Sequence, residues 1–281
     1  MLPAGEFFFQ QTLLINPLTA PIWIAGLLAF FFWPRLKAYG VLGWSYLVCY
    51  SVFFMLHGKH YYLSPAYPML LAGGAVVIES ALCGAGALAR QGRWLRPAII
   101  VVLLASGAHL TPVVVPVLSP EKFLAYTRTL PFKIPVTEHS HARAALPQWY
   151  ADQFGWQEIV DATAAAWNQL SPEERRDCGI FAQDYGQAGA IDFLGRQYGL
   201  PKSLSGHQTW FLWGPRGYSG NCLIVLDDTR ANVEALWNNV QYVGTSAANP
   251  YALEQQIPVF ICRGSKFGSL AELWPRLKKW R

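Results

Sequence analysis

The sequence predicts an α-helical transmembrane bundle of four spans followed by a small extracytoplasmic α/β domain. Hydrophobic residues make up 53% of the 281 residues and charged residues only 14%, and both fractions are displaced from soluble proteins towards membrane proteins. Nearly all of this difference in composition falls in residues 1–118, whose only acidic residues are Glu6 and Glu79. Because residues 119–281 have ordinary charge and frequent turn residues, we place a domain boundary near Ser119.

Four stretches of the first part are candidate transmembrane helices. A helix needs ~20 mostly apolar residues to cross a hydrocarbon core about 30 Å thick. The candidates are residues 17–33, 41–56, 66–84 and 97–118. The second stretch is short, so a buried re-entrant segment is an alternative to a span, but Trp and Tyr near its start suit an interfacial aromatic belt.

Basic residues in the short connections predict the orientation of the spans. Arg35 and Lys37 lie between the first two spans, and three arginines lie in the connection RQGRWLRP between the last two. Both connections are therefore predicted to be cytoplasmic, so the intervening connection, the N-terminus and residues 119–281 face outwards. Because the outward-facing start lacks the features of a signal peptide, we expect further spans to precede it in a longer protein.

The connection HGKHYYLSPAYP, residues 57–68, combines residue types that suit a phosphate group at the membrane surface. Lys59 offers a mobile ammonium, the tyrosines offer phenolic donors on apolar rings, and His57 and His60 donate as imidazole or imidazolium. The alternative is an aromatic and basic interfacial anchor that binds no specific ligand.

Residues 119–281 alternate between helix and strand patterns, which predicts a small α/β domain with a mostly parallel sheet. Short apolar runs predict strands in CGIFAQD, NCLIVLDD, QYVGT and IPVFICRG. Helical spacing occurs in LPQWYADQFGWQEIVDATAAAWNQL, QAGAIDFLGRQYG, TRANVEALWNNV and SLAELWPRLKKW. Asp184 is expected at a turn or helix cap, and Asp228 or Thr229 at the N-cap of the next helix.

The segment SGHQTWFLWGPRGYSG, residues 205–220, brings aromatic rings and polar donors together between glycines. That composition suits stacking on a sugar or docking onto the membrane module. Packing on the domain's own core is the alternative. The candidate contact residues are His207, Trp210, Trp213 and Arg216.

We predict no metal site, no cofactor and no nucleic-acid partner. His139 and His141 form an H-x-H pair without a further Cys or His at a supporting spacing. The net charge of +5 reflects the cytoplasmic connections and the terminal KKWR rather than a nucleic-acid-binding stripe. Cys178 and Cys222 each directly precede an apolar strand run, so a disulfide between them is plausible if the two strands are neighbours.

One element resembles a known family of membrane enzymes. K-H-Y-Y-L-S-P-A-Y-P, followed by MLLAGGAVVIE, is similar to the K/R-x-x-Y-L-x-P-x-Y-P element of the polytopic GT-C glycosyltransferases. The bacterial relatives similar to protein O-mannosyltransferases and to the aminoarabinose transferase of lipid A also resemble FFFQQTLLINPLTAPIWIAGL, with its N-P-L-T-x-P-x-W pattern. Similar segments in the C-terminal part are LPQWYADQFGWQEIV, GIFAQDYGQAGAIDFLG and IPVFICRG, so the resemblance extends over most of the chain.

The resemblance implies transfer of a sugar from a polyprenyl phosphate carrier to an acceptor at the outer face of the bacterial inner (cytoplasmic) membrane. The implied partners are the carrier-linked sugar and the lipid bilayer. Lys59, Tyr61 and Tyr62 carry over as contacts to the carrier phosphate, with Tyr67 as a weaker one, and their role would be electrostatic stabilisation of the leaving phosphate.

The family's catalytic acidic residue lies in a first outer loop that has no counterpart in this sequence. We therefore expect the chain to be the C-terminal part of such an enzyme, inactive without an N-terminal membrane half. The alternative function is a membrane-anchored extracytoplasmic module that binds a glycan or a protein.

Overall fold

The computed structural model describes residues 4–84, 87–132, 134 and 145–280. The chain divides into two compact units, residues 1–137 and 138–281, called here the N-terminal unit and the C-terminal unit. The first is helical and the second contains a small mixed sheet. The H-x-H pair of His139 and His141 lies outside the described residues.

The N-terminal unit consists of helices joined by short connections. Their bounds are α1 (Ala4–Leu14), α2 (Ala20–Phe32), α3 (Gly40–Met55), α4 (Tyr67–Cys83), α5 (Ala87–Val114) and α6 (Pro120–Thr127). Within the described residues, three helical stretches are long and apolar enough to cross a membrane: Lys37–Met55, Tyr61–Cys83 and Leu88–Val114. The chain is therefore a membrane protein by the length and composition of its helices.

The first predicted span differs from the others. The structure has a helical stretch, Pro17–Phe32, at the predicted residues 17–33, but it consists of a 3-10 turn of 3 residues and the 13-residue helix α2 and is too short to cross a hydrocarbon core unaided. A fourth span exists only if Phe7–Leu14 and Pro17–Phe32, which meet at 97°, are counted together. The arginine-containing connection before the last predicted span is also different, since Arg90, Arg93 and Arg96 belong to α5 itself.

Asn16 explains the sharp bend between α1 and α2. Its backbone is left-handed with φ 76°, and its side chain accepts a hydrogen bond from the Leu18 amide at 3.1 Å, so it caps the next turn. The side-chain nitrogen of Asn16 also donates to the Ser106 hydroxyl at 2.6 Å, and this hydrogen bond joins the bend to α5. Pro17 then supplies the fixed φ that suits the first turn of a helix. The N-P-L-T sequence thus ends one helix and starts another.

Glycines bring α2 and α4 into close contact. A Cβ on Gly26 would lie 1.9 Å from the Leu70 carbonyl oxygen, and one on Gly74 would lie 1.8 Å from the Ile22 carbonyl oxygen. Backbone atoms of the two helices therefore touch where no side chain intervenes, as is common at interfaces between membrane helices. This contact fixes α4, and with it the connection that precedes α4.

The C-terminal unit packs short helices around a four-stranded sheet. The strands are β1 (Cys178–Ala182), β2 (Cys222–Leu226), β3 (Trp237–Thr245) and β4 (Pro258–Ser265). The helices are α7 (Gln148–Ala151), α8 (Trp156–Trp167), α9 (Tyr185–Leu194), α10 (Arg230–Leu236) and α11 (Leu270–Leu273). Buried side chains on the two faces of the sheet form two apolar clusters, one packed with α8 and α9 and the other with α10 and α11.

The prediction of a mostly parallel sheet is wrong. The strand order is β1-β2-β4-β3, and only β1 and β2 are parallel, because β4 runs antiparallel to both of its neighbours. The predicted helix TRANVEALWNNV is also too long: α10 ends at Leu236, and Trp237 already begins β3. A predicted helix at the end of the chain is reduced to α11 and one 3-10 turn, Trp274–Leu277.

A disulfide joins Cys178 and Cys222, which are register partners at the start of the parallel pair β1 and β2. The two strands are therefore neighbours, which is the condition that the sequence left open. The bridge closes a loop with a sequence separation of 44 residues. Asp184 caps α9 by accepting from the Gly186 amide, and Thr229 caps α10, so both cap predictions are confirmed.

Candidate carrier-phosphate site

The connection between α3 and α4 is a tight, ordered turn. Beyond α3, His57 adopts a left-handed backbone with φ 55°, and the Gly58 amide donates to the Phe53 carbonyl at 2.7 Å. Lys59 is extended and N-caps a 3-10 helix, His60–Ala66, which leads directly into α4. Pro68 stands in the first turn of α4, where its missing N–H costs no hydrogen bond. The connection therefore holds its side chains on a fixed backbone.

Two tyrosines and a lysine of this turn form an outward-facing cluster. The Lys59 ammonium lies 5.7 Å from the centre of the Tyr61 ring, and the Tyr61 and Tyr62 rings meet edge to face at 4.9 Å. Tyr62 also contacts Phe53 at the end of α3. The exposed fractions of Tyr61 and Tyr62 are 37% and 52%, so both phenols are accessible to a ligand. We call Lys59, Tyr61 and Tyr62 the lysine-tyrosine cluster.

The connection also contains two histidines, His57 and His60. His57 is exposed, at the start of the turn. His60 belongs to the 3-10 helix, but its side chain lies outside the described part of the chain. Both remain candidate donors from the sequence.

Tyr67 points the other way, into the interior of the N-terminal unit. It is 2% exposed, and its hydroxyl donates to the Gln11 side-chain oxygen and lies 3.3 Å from the Tyr46 hydroxyl. Its ring meets the edge of Trp23 at 5.5 Å. The structure thus separates Tyr67 from the lysine-tyrosine cluster and puts it in a buried network contributed by α1, α2, α3 and α4.

This interior network contains polar donors that the described residues leave unpaired. The Gln11 side-chain nitrogen and the Trp23 indole nitrogen are buried, and neither has a hydrogen-bond partner among the described residues. Buried donors of this kind normally find an acceptor. Sequence reasoning missed Gln11, Trp23 and Tyr46 as functional candidates, although two adjacent glutamines in the apolar run FFFQQTLL were a usable signal.

The candidate contacts of the C-terminal unit are divided between its interior and its surface. His207 is 8% exposed, and its Nδ1 lies 2.7 Å from an Asp184 oxygen, so it is an internal partner of the α9 cap. Trp210 is partly buried over Gly189 and meets the Trp213 ring at 4.5 Å. Trp213 is 56% exposed and has the Arg216 guanidinium 5.2 Å from its ring centre.

The C-terminal unit also gathers carboxylates where β1 and β2 end, a cluster that sequence reasoning explained only as helix caps. Fully buried Gln187 donates from its side-chain nitrogen to Asp227 at 3.0 Å and to Glu254 at 3.1 Å. Desolvation raises the pKa of Asp227 and of Glu254. The charges of Asp184 and Asp228 raise the pKa of Asp227 further, and those of Asp227 and Asp184 raise the pKa of Glu254 further. The parallel pairing of β1 and β2, which single-sequence reasoning did not establish, brings these groups together.

No protein-family model, no curated protein and no solved structure matches this sequence. The similarity of the connection and its flanking segments to the GT-C glycosyltransferases therefore stays a prediction from the sequence.

Proposed function

We propose that the chain contributes the carrier-phosphate contacts and the extracytoplasmic domain of a membrane glycosyltransferase that uses a polyprenyl-phosphate-linked sugar. The lysine-tyrosine cluster carries the proposal, because it presents one ammonium and two exposed phenols on a rigid turn at the end of membrane-length helices. A phosphate at the depth of lipid headgroups is matched by such donors, while the polyprenyl tail stays in the hydrocarbon.

The chemistry assigned to the cluster is electrostatic. When the bond between the sugar and the phosphate oxygen breaks, negative charge develops on the departing carrier phosphate. An ammonium and phenolic O–H groups held at that point stabilise this charge more than that of the intact donor. In this proposal the cluster acts on the departing phosphate and not on the acceptor.

Lys59→Ala provides the direct test. Loss of a charge-assisted contact worth roughly 1.5 to 3 kcal/mol should weaken binding of polyprenyl phosphate ~10- to 150-fold. Binding is measured by titrating protein in lipid nanodiscs with polyprenyl phosphate and counting bound carrier by native mass spectrometry. Lys59→Arg should retain part of the affinity, since the charge survives in a different geometry.

Lys37→Ala is the matched control, because it removes the same charge from the connection before α3 and leaves the cluster intact. If Lys59→Ala binds carrier as the unaltered protein does, the phosphate site is wrong. The interfacial-anchor alternative predicts a different pattern: Lys59→Ala is silent, and replacing both Tyr61 and Tyr62 by Ala lowers the amount of inserted protein.

A further inference from the structure

An exposed surface of the C-terminal unit combines apolar, aromatic and basic side chains. Leu212, Trp213 and Trp280 are 72%, 56% and 60% exposed, and a grouping of exposed apolar side chains is more informative than single ones. Arg216 and Lys278 lie beside these rings. We call Leu212, Trp213, Arg216, Lys278 and Trp280 the aromatic-basic patch.

The patch is one continuous surface although its residues come from two segments of the chain. The Gln208 amide donates to the Lys279 carbonyl at 2.8 Å, and the Lys279 amide donates to the Gly206 carbonyl at 2.9 Å, so the C-terminal segment is paired to residues 206–208. The Lys278 ammonium lies 5.4 Å from the centre of the Phe211 ring and 4.9 Å from that of Trp280, and so joins the two parts.

The patch stands on a rigid base. Phe211 stacks on Trp274 at 5.7 Å with an interplanar angle of 12°, and the Trp274 indole donates to the Phe211 carbonyl at 3.0 Å. Trp274 is itself 6% exposed and belongs to the apolar cluster on that face of the sheet. Leu212 and Trp213 therefore project from a backbone that is held by the core of the unit.

We propose that the aromatic-basic patch binds the headgroup region of an anionic lipid surface. Arg216 and Lys278 form no ion pair with a carboxylate among the described residues, so their charges are not neutralised there. Arg216 donates from Nε to the Ser203 carbonyl at 3.2 Å, and its terminal nitrogens can face a lipid phosphate. Tryptophan is enriched at membrane interfaces because its ring is apolar and its indole N–H is polar, and Leu212 supplies an apolar side chain that reaches deeper. The apolar helices of the same chain keep a membrane at high effective concentration near the patch.

A glycan is the less suitable occupant. Sugars stack on the faces of aromatic rings, but Arg216 lies over Trp213 and Lys278 lies over Trp280, so a cation already covers one face of each ring. Leu212 offers a sugar neither a stacking face nor a hydrogen bond. These features instead suit insertion of ring edges and a leucine between lipid headgroups. Lipid binding by this patch does not depend on the proposed glycosyltransferase activity.

Fluorescence at Leu212 tests the inference in the full chain. The exposed free cysteines are first removed by Cys49→Ala and Cys83→Ala, leaving buried Cys262, and Leu212→Cys is labelled with an environment-sensitive fluorophore. The protein is placed in nanodiscs of phosphatidylcholine alone or of phosphatidylcholine mixed with phosphatidylglycerol. We expect a blue shift of the emission and loss of quenching by aqueous acrylamide only in the discs that contain phosphatidylglycerol.

Tyr242→Cys is the matched control. Tyr242 is a 46% exposed aromatic residue of β3, at the edge of the sheet opposite β1, whereas the segment that carries the patch adjoins β1 through the bridge between Phe181 and Leu204. Its label should emit and be quenched alike in both kinds of disc. In the labelled Leu212→Cys protein, replacing both Arg216 and Lys278 by Gln should abolish the blue shift that phosphatidylglycerol causes.

Four outcomes would overturn the inference. The label at position 212 could be quenched as readily as the label at position 242 in both discs, which excludes membrane contact. Equal blue shifts in the two discs would exclude recognition of anionic lipid. Protection of the label from acrylamide quenching in lipid-free detergent would show that protein covers the patch. Protection by an added oligosaccharide in the same detergent would assign the patch to a glycan.

Discussion

At the scale of single residues, the turn before α4 places chemically similar side chains in opposite environments. Tyr61 and Tyr62 face outwards, whereas Tyr67, five residues after Tyr62, is enclosed by Gln11 and Tyr46. Sequence alone identified the residue types of the turn but not this division. Leu63 within the 3-10 helix and Tyr67 at the start of α4 are buried, whereas Tyr61 and Tyr62 at the beginning of the 3-10 helix are exposed.

Tyr67→Phe tests whether the buried hydroxyl is structural. The substitution leaves the Gln11 side-chain oxygen and the Tyr46 hydroxyl without a shared partner, and an unmade buried hydrogen bond costs roughly 1 to 3 kcal/mol. We expect a lower thermal unfolding temperature in detergent and nearly unchanged binding of polyprenyl phosphate. Tyr62→Phe is the comparison, since removal of an exposed hydroxyl should leave the unfolding temperature alone. A large loss of carrier binding without loss of stability in Tyr67→Phe would make Tyr67 a ligand contact instead.

Glu254 gives the C-terminal unit a pH dependence of known sign. Its pKa is raised above the ordinary value of 4.5 by desolvation, with the charges of Asp227 and Asp184 adding to the shift. The folded state therefore holds the proton more tightly than the unfolded state, so the stabilisation is full below pH 4.5 and is lost as the pH rises through the raised pKa. Glu254→Gln, which cannot ionise, should flatten the fall in unfolding temperature above pH 4.5.

Glu174 supplies a comparison of opposite sign. The hydrogen bond from Arg263, at 2.6 Å, lowers the pKa of the Glu174 carboxyl group. Its stabilisation is present above the unfolded pKa and is lost as the pH falls through the folded pKa, so Glu174→Gln should flatten the acid side of the profile instead. Unfolding temperatures of the full chain measured across the pH range check both variants. If the unfolding temperature of Glu254→Gln changes with pH in parallel with that of the unaltered protein, Glu254 is not the cause of the fall above pH 4.5.

At the scale of elements, close contact between α2 and α4 depends on residues without side chains. The glycines of LAGGAVV are visible in the sequence, but their partner helix and the backbone atoms that they approach are not. The pairing partners of the strands are likewise not visible in the sequence. Each strand run was recognisable, yet nothing in the runs reveals that β4 inserts antiparallel between β2 and β3. Likewise Trp237 continues a helical pattern in sequence and becomes strand because its side chain is buried against the sheet and Phe267.

Gly74→Ala tests the helix contact. The added Cβ would lie 1.8 Å from the Ile22 carbonyl oxygen, so α2 and α4 must separate, and overpacking of this kind typically costs about 1 to 3 kcal/mol. We expect a lower unfolding temperature in detergent. Gly107→Ala in α5 is the control: nothing lies within 4 Å of its Cβ, and Ala favours a helix over Gly, so stability should be equal or higher. Equal behaviour of the two variants would contradict the close contact.

At the scale of the whole molecule, the sequence predicted a helical membrane part followed by a small α/β part. The structure shows a helical unit with membrane-length apolar helices and a unit with a small mixed sheet. Composition alone was enough for this, because the apolar residues are concentrated before position 119 and the turn residues after it. The number of spans was not predictable in the same way. The predicted first span, residues 17–33, coincides with the helical stretch Pro17–Phe32, but Asn16 and Pro17 place a 97° bend directly before it, so a fourth span depends on the preceding stretch Phe7–Leu14.

The orientation of the chain stays a prediction and is testable as a whole. The basic residues predict that the start of α5 is cytoplasmic and that the turn before α4 and the C-terminal unit lie on the other side of the membrane. Single cysteines at Ser64, Asn239 and Gln91, introduced after Cys49→Ala and Cys83→Ala, report these three places. Asn239 and Gln91 are exposed and Ser64 is partly exposed, so the reagent can reach each site.

An impermeant thiol reagent added to cells with an intact cytoplasmic membrane should label the cysteines at 64 and 239 and spare the one at 91. Permeabilisation should then expose the cysteine at 91, which shows that its sulfur is reactive. The physical reason is the energetic preference for keeping Arg90, Arg93 and Arg96 on the cytoplasmic side, which dominates the topology of short connections. Labelling at 91 but not at 64 or 239 would show that the orientation is the reverse of the predicted one. The lysine-tyrosine cluster would then lie on the cytoplasmic face, away from any extracytoplasmic sugar acceptor.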